Sequence, residues 1–199
     1  MLDHSRNVWN KLRLGLLYLN KTAMHQKIDW LTFTDDDTFL VVDNLQLFLL
    51  MQNPQPLEAF GLVGRRGYIP TSASLTLSSS TFDHFMRHQR AHKQCTRQTM
   101  THSADVELGQ CMKRVGIALR NYRDASNRWL FHHYAPDVML NKNNDHAKVY
   151  TRVFQDGERL SEGFDCCSDQ SIAFHYIKEA EDMKLMHFYA QRIRPKLLD

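Results

Sequence analysis

Apolar residues recur at spacings of three and four at Trp9, Leu12, Leu16, Leu19 and Ala23, the signature of one buried helix face. Lys11, Arg13 and Lys21 fall off that face, and Ser5 stands where a cap belongs. Ile28 to Phe33 reads as a short buried strand running into Asp35-Asp36-Asp37. Phe39 to Val42 is a second β-rich stretch, and Asp43 or Asn44 caps a helix to about Met51 that Asn53-Pro54 ends. Residues 53–80 read as loop with short strands. Thr81 caps a helix through about His92, and Asp105 to Val115 forms another that stops at Gly116. Residues 121–165 are polar and irregular, most so at Asn141 to Asp145. Ser171 to Ile177 reads as a strand, and Met183, Leu185, Met186 and Tyr189 mark a last helix stopped before Pro195. Helices leading into buried strands predict an α/β layering.

Composition narrows the class. A chain of 199 residues is one domain at about 150 residues per domain. With 43% hydrophobic and 24% charged residues it has the balance of a globular protein. Twenty-five basic against 22 acidic residues leave a net charge of +3. That is too small and too evenly spread to point to nucleic acid or an anionic membrane surface. No phosphate-binding GxGxxG or GxxxxGK[ST] string occurs. The longest apolar stretch, Phe39 to Met51, is interrupted by Asp43, Asn44 and Gln46, short of the roughly 20 apolar residues a membrane helix needs. The first residues carry no secretory signal pattern. Two features hint at the secretory route: the sequon Asn20-Lys21-Thr22 and an even number of cysteines. Read alone, the cysteines suit reduced core thiols or coincidence better than a disulfide framework.

The chemistry gathers around the acidic run. Three carboxylates at the end of a buried strand repel one another in a poorly hydrated place. Either the run is a solvated acidic turn, or a hard cation with oxygen ligands offsets the charge. In open α/β sheets the ligand crevice lies at the carboxyl ends of strands, where this run sits. His84, His88 and His92 are spaced for one helix face and could hold a transition metal. The interleaved Arg87 and Arg90, with Lys93 behind, mark a solvated face instead. His132-His133 reads as structural or acceptor-facing.

The string from Asp29 through the acidic triplet to Leu45 resembles the metal-binding strand of inverting β1,3-glycosyltransferases of the GT-A fold. Ser103 to Met112 is similar to their acidic helix start, and Arg123-Asp124 with Phe131-His132 to their next segment. Cys166-Cys167-Ser168-Asp169 through Phe174-His175-Tyr176, with Met183 to Pro195, resembles the core 1 β1,3-galactosyltransferases, which add galactose to protein-linked N-acetylgalactosamine. The resemblance runs from about Ser5 to Pro195. It implies an α/β fold: a single partial GT-A (Rossmann-like) glycosyltransferase domain over 1–199 lacking the first β-α-β unit. Its metal-binding half would be 1–80 and its acceptor and catalytic half 81–199.

The resemblance also implies roles. Asp35 and Asp37 are its Asp-x-Asp motif, Asp37 the direct Mn²⁺ ligand, with Asp35 or Asp36 facing the donor ribose and the ion's waters. His175 completes the metal site, although such a histidine on its own reads as a satisfied core residue. Asp105 is the candidate catalytic base, where a helix-start carboxylate also belongs for structural reasons. Cys95–Cys111 is an expected disulfide over Asp105, Cys166–Cys167 an expected vicinal one before His175, and Asn20 a candidate glycosylation site. Expected partners are UDP-galactose and a GalNAc-bearing glycoprotein, with homodimerisation as an option. No nucleic acid is expected, and membrane attachment only through an anchor absent from this chain, giving a lumenal Golgi location. Two alternatives stay open: a non-catalytic, chaperone-like relative, and a β1,3-glycosyltransferase of other donor or acceptor specificity.

Departures from the family pattern qualify the picture. Thr71-Ser72-Ala73-Ser74 stands where the family has a Gly-Gly-Ala-Gly turn, Ala104 replaces the first of two acidic residues, and Val149 to Phe154 replaces an aromatic-rich acceptor segment. Without the opening strands, an apolar sheet edge is expected to be exposed, with poor solubility and poor UDP binding.

Overall fold

The computed structural model describes residues 7–22, 24–98, 101, 103–141 and 163–193. The Ser5 cap, the stop before Pro195 and the segment from Val149 to Phe154 lie outside them. The fold is mixed α/β, built on two small sheets.

In the first sheet β1 (Trp30–Phe33) pairs antiparallel with β4 (Leu75–Ser78), β4 antiparallel with β3 (Glu58–Phe60), and β3 parallel with β5 (Ala118–Arg120). β1 lies at the edge of this sheet. Thr32 and Thr76 face each other across β1 and β4 with their hydroxyls 3.0 Å apart. Three helices cover the sheet: α1 (Val8–Thr22), α3 (Ser79–His88) and α5 (Ala104–Arg114). Trp9 and Leu16 from α1, Phe82, Phe85 and Met86 from α3, and Leu108 and Met112 from α5 bury against Leu31, Leu75 and Leu77. The i, i+3, i+4 pattern of α1 is therefore a packing face, and the Trp9 indole donates to the Arg97 carbonyl at 3.2 Å. The Cys95–Cys111 disulfide ties the short helix α4 (Lys93–Thr96) to α5, with both cysteines buried.

In the second sheet β7 (Ala173–Phe174) is central, antiparallel to β2 (Phe39–Leu40) and parallel to β6 (Phe131–His132). α2 (Val42–Leu50) and α6 (Pro136–Leu140) pack on it through Leu45 and Met139, beside Leu130 and Ile172. α7 (Ala180–Phe188) leans Met183 and Met186 on Phe39 and Ile177. The Cys166–Cys167 disulfide lies in the loop before β7, its Cα atoms 3.7 Å apart.

Several element boundaries correct the sequence reading. α3 is capped by Ser78, whose Oγ accepts from the Thr81 N–H at 3.1 Å; Thr81 is the receiving residue, not the cap, and the helix ends at His88 rather than His92. α2 is preceded by Val41 with no side-chain cap; Asn44 is inside the helix and instead donates to the Ser171 carbonyl at 2.7 Å. The strand read over 171–177 is paired only at Ala173–Phe174, and the stretch read as irregular contains β6 and α6. The sequon Asn20-Lys21-Thr22 forms the last turn of α1, where the Thr22 hydroxyl bonds back to the Tyr18 carbonyl at 3.1 Å.

Candidate active site

Strand register brings the chemistry together. Phe39 pairs with Phe174 and Leu40 with Ala173; continued one residue, this register sets His175 opposite Thr38. The Ile177 N–H donates to the Asp37 carbonyl at 2.9 Å and extends the contact past the strand ends. The acidic turn leaving β1 is thereby held against the chain leaving β7, between the two sheets. Asp35, Asp37 and His175 each offer a ligand atom, all within 4.8 Å of one another. Among the described residues no other cluster of His, Cys, Asp or Glu meets that standard. Asp36 is exposed and outside the cluster.

Hydrogen bonds fix the state of the histidine. Nδ1 of His175 lies 3.2 Å from the carbonyl of His133. A carbonyl only accepts, so Nδ1 carries the proton. The lone pair is then on Nε2, which faces Oδ1 of Asp37 at 3.0 Å. Two lone pairs at that distance need a proton or a metal ion between them. His175 is 6% exposed, and a buried imidazole oriented by a carbonyl through its other nitrogen is a common metal-ligand arrangement. One nitrogen and two carboxylates form a donor set suited to Mn²⁺.

Asp105 enters from α5, as its second residue. Gly109 lets that helix approach closely, because a Cβ there would lie 2.6 Å from the Cα of Tyr68. The 3-10 turn Thr71–Ala73 lies between α5 and the acidic turn. Thr71 donates twice to Oδ1 of Asp105, through its backbone N–H at 3.3 Å and its hydroxyl at 3.0 Å. The same hydroxyl lies 3.2 Å from Oδ1 of Asp35. The Thr38 hydroxyl closes the junction by donating to the Ser72 carbonyl at 2.8 Å. Burial pushes the half-buried Asp105 carboxyl above the ordinary aspartate range; the Thr71 hydrogen bonds oppose this and the Asp35 charge adds to it. A carboxylate of raised basicity beside a cluster of side chains that could hold a cation is equipped to take a proton.

Sequence reading registered Thr71 only as a lost glycine, since its partners are distant in the chain. The turn also explains why glycine suits its last position: Ser74 sits at φ 65° with its hydroxyl buried and without a hydrogen-bond partner. The histidine series does not form one solvated helix face: His84 is half-buried, His88 is exposed, and the helix ends before His92. His84 bonds the Val115 carbonyl at 2.8 Å, His88 bonds the His84 carbonyl at 2.8 Å, and His92 lies beyond the helix end. His132 is fully buried and structural: its Nε2 lies 2.9 Å from the Ser171 hydroxyl.

No family model matches the chain. It is 30% identical over 181 residues to glycoprotein-N-acetylgalactosamine 3-beta-galactosyltransferase 1 of Xenopus laevis, a match covering 89% of this chain and 48% of that protein. The chain thus spans about half the length of the curated relative it matches. The matched span covers most of the chain, and the mixed α/β fold is consistent with a partial GT-A-like domain. Over 89% of its length the chain is thus similar to a glycoprotein-N-acetylgalactosamine 3-beta-galactosyltransferase.

Proposed function

We propose that this chain carries the metal-binding and catalytic part of an inverting, Mn²⁺-dependent β1,3-galactosyltransferase that moves galactose from UDP-galactose to GalNAc-α-Ser/Thr of glycoproteins. The observation carrying this reading is the convergence of Asp35, Asp37 and His175 on one point, with Asp105 joined to it through Thr71.

Asp35, Asp37 and His175 would hold Mn²⁺, with Asp36 exposed on the donor side. The bound ion would offset the charge that develops on the leaving diphosphate. Asp105 takes the proton of the acceptor hydroxyl as that oxygen attacks the anomeric carbon. The carbon–oxygen bond to UDP breaks with its electron pair on the phosphate oxygen, and the α-linked donor gives a β-linked product. The two disulfides suit an oxidising compartment, and we assign the activity to the Golgi lumen. Among the described residues no helix is long and apolar enough to cross a membrane. Intact Asp35 and Asp37 favour this reading over a non-catalytic, chaperone-like relative.

The test is transfer from UDP-galactose to a GalNAc-peptide with Mn²⁺. Product that disappears in Asp37→Ala supports the reading. Transfer independent of Mn²⁺ and unaffected by Asp37→Ala refutes it.

A further inference from the structure

The Thr71 side chain bonds both a proposed metal ligand and the proposed base. Its hydroxyl has a single proton, yet two carboxylate oxygens face it, Asp105 at 3.0 Å and Asp35 at 3.2 Å. It can donate to only one of them at a time. We propose that the Thr71 hydroxyl is a positioning group that couples occupancy of the Asp35–Asp37–His175 cage to the orientation of Asp105. This rests on the metal-site reading above.

The coupling follows from charge. With the cage empty, Oδ1 of Asp35 is free of any cation and competes for the Thr71 proton at 3.2 Å. A divalent ion draws the Asp35 oxygens to itself and makes them poorer acceptors. The hydroxyl then commits to Asp105. Both Thr71 donors fall on the same oxygen, Oδ1 of Asp105. They leave Oδ2 as the oxygen available to an acceptor hydroxyl. The turn is rigid enough to transmit this, because the Thr38 hydroxyl holds the Ser72 carbonyl at 2.8 Å from the other side. Glycine at position 71 would supply the backbone N–H without the hydroxyl, so the device belongs to this chain's threonine.

The experiment is ¹³C NMR of aspartate carboxyl carbons in the 199-residue chain, titrated with Mg²⁺ as a diamagnetic probe. Resonances are assigned through Asp35→Asn, Asp37→Asn and Asp105→Asn. In the parent chain Mg²⁺ moves Asp35, Asp37 and Asp105. In Thr71→Val the Asp105 displacement falls to less than about half while Mg²⁺ affinity stays within about threefold, and Thr71→Ser retains the parent response. Thr71→Ala is the second variant without the hydroxyl, used if valine disturbs the turn. An Asp105 displacement that persists without the hydroxyl, or is absent in the parent while Asp35 and Asp37 move, overturns the proposal. If Asp35 and Asp37 themselves do not respond, the metal-site reading fails and takes the coupling with it.

Discussion

Nε2 of His175 lies 3.0 Å from Oδ1 of Asp37, although the two residues belong to opposite ends of the chain. The contact is a product of strand register: β2 and β7 are only two residues long, and their pairing aligns the chain on either side. The carbonyl of His133 orients the imidazole from behind. Neither Asp37 nor His175 is a strand residue; each is held at the end of one, where side chains project free of the sheet.

Asp105→Asn keeps the side-chain shape and removes the proton acceptor. Transfer to a GalNAc-peptide is expected to fall by about a hundred- to ten-thousand-fold, measured as kcat under saturating donor. Mn²⁺ affinity should move by no more than about threefold, because Asp105 is outside the ligand group and reaches it only through Thr71. Equal losses of turnover and of metal binding would argue that Asp105 only braces the cage.

Acid should destabilise the fold through His132. The Ser171 hydroxyl donates to the Ser168 carbonyl, so it accepts from His132, whose Nε2 is protonated and whose buried Nδ1 has no partner. Burial lowers the His132 pKa from 6.5 to about 3. Between those values the unfolded chain binds a proton that the folded chain refuses. Stability is therefore full above pH 6.5 and declines as the pH falls toward 3, by up to about 1.4 kcal/mol per pH unit. Urea unfolding across this range measures it, and His132→Gln should flatten the curve. His133, lowered to about 4 by burial first and then by His175, acts in the same direction and remains in that variant.

Ser74→Gly should stabilise the chain by about 1 kcal/mol. The substitution relieves a side chain held at φ 65° and removes a buried hydroxyl without a partner. Thermal unfolding reads the shift; a lower midpoint would mean that the Ser74 side chain packs better than its backbone suffers.

Much of this was legible in the sequence, and the reasons for the rest are physical. α1 and α5 are long enough for their apolar spacing to declare a face. The α3 cap was not, because Ser78, Ser79, Ser80 and Thr81 are all capable of capping, and burial of β4 decides where the chain leaves the sheet. β2, β6 and β7 are two residues each, too short to carry an alternation, and exist through partners far away in the chain. The acidic triplet, by its charge, left a solvated turn and a cation site both open. His175 came from a family likeness, since one histidine in an apolar stretch has no spacing to interpret. Thr71 had no signal at all: its hydroxyl matters only once the fold sets two distant aspartates around it.

The most direct test of the central claim, that Asp35, Asp37 and His175 form one cation site, is calorimetric titration of Mn²⁺ into the parent chain, Asp37→Ala, His175→Ala and Asp36→Ala at neutral pH. One ion should bind the parent and Asp36→Ala alike, with affinity reduced at least about tenfold in Asp37→Ala and in His175→Ala. A parent chain that takes up no ion, or variants at 37 and 175 that bind as the parent does, would contradict it.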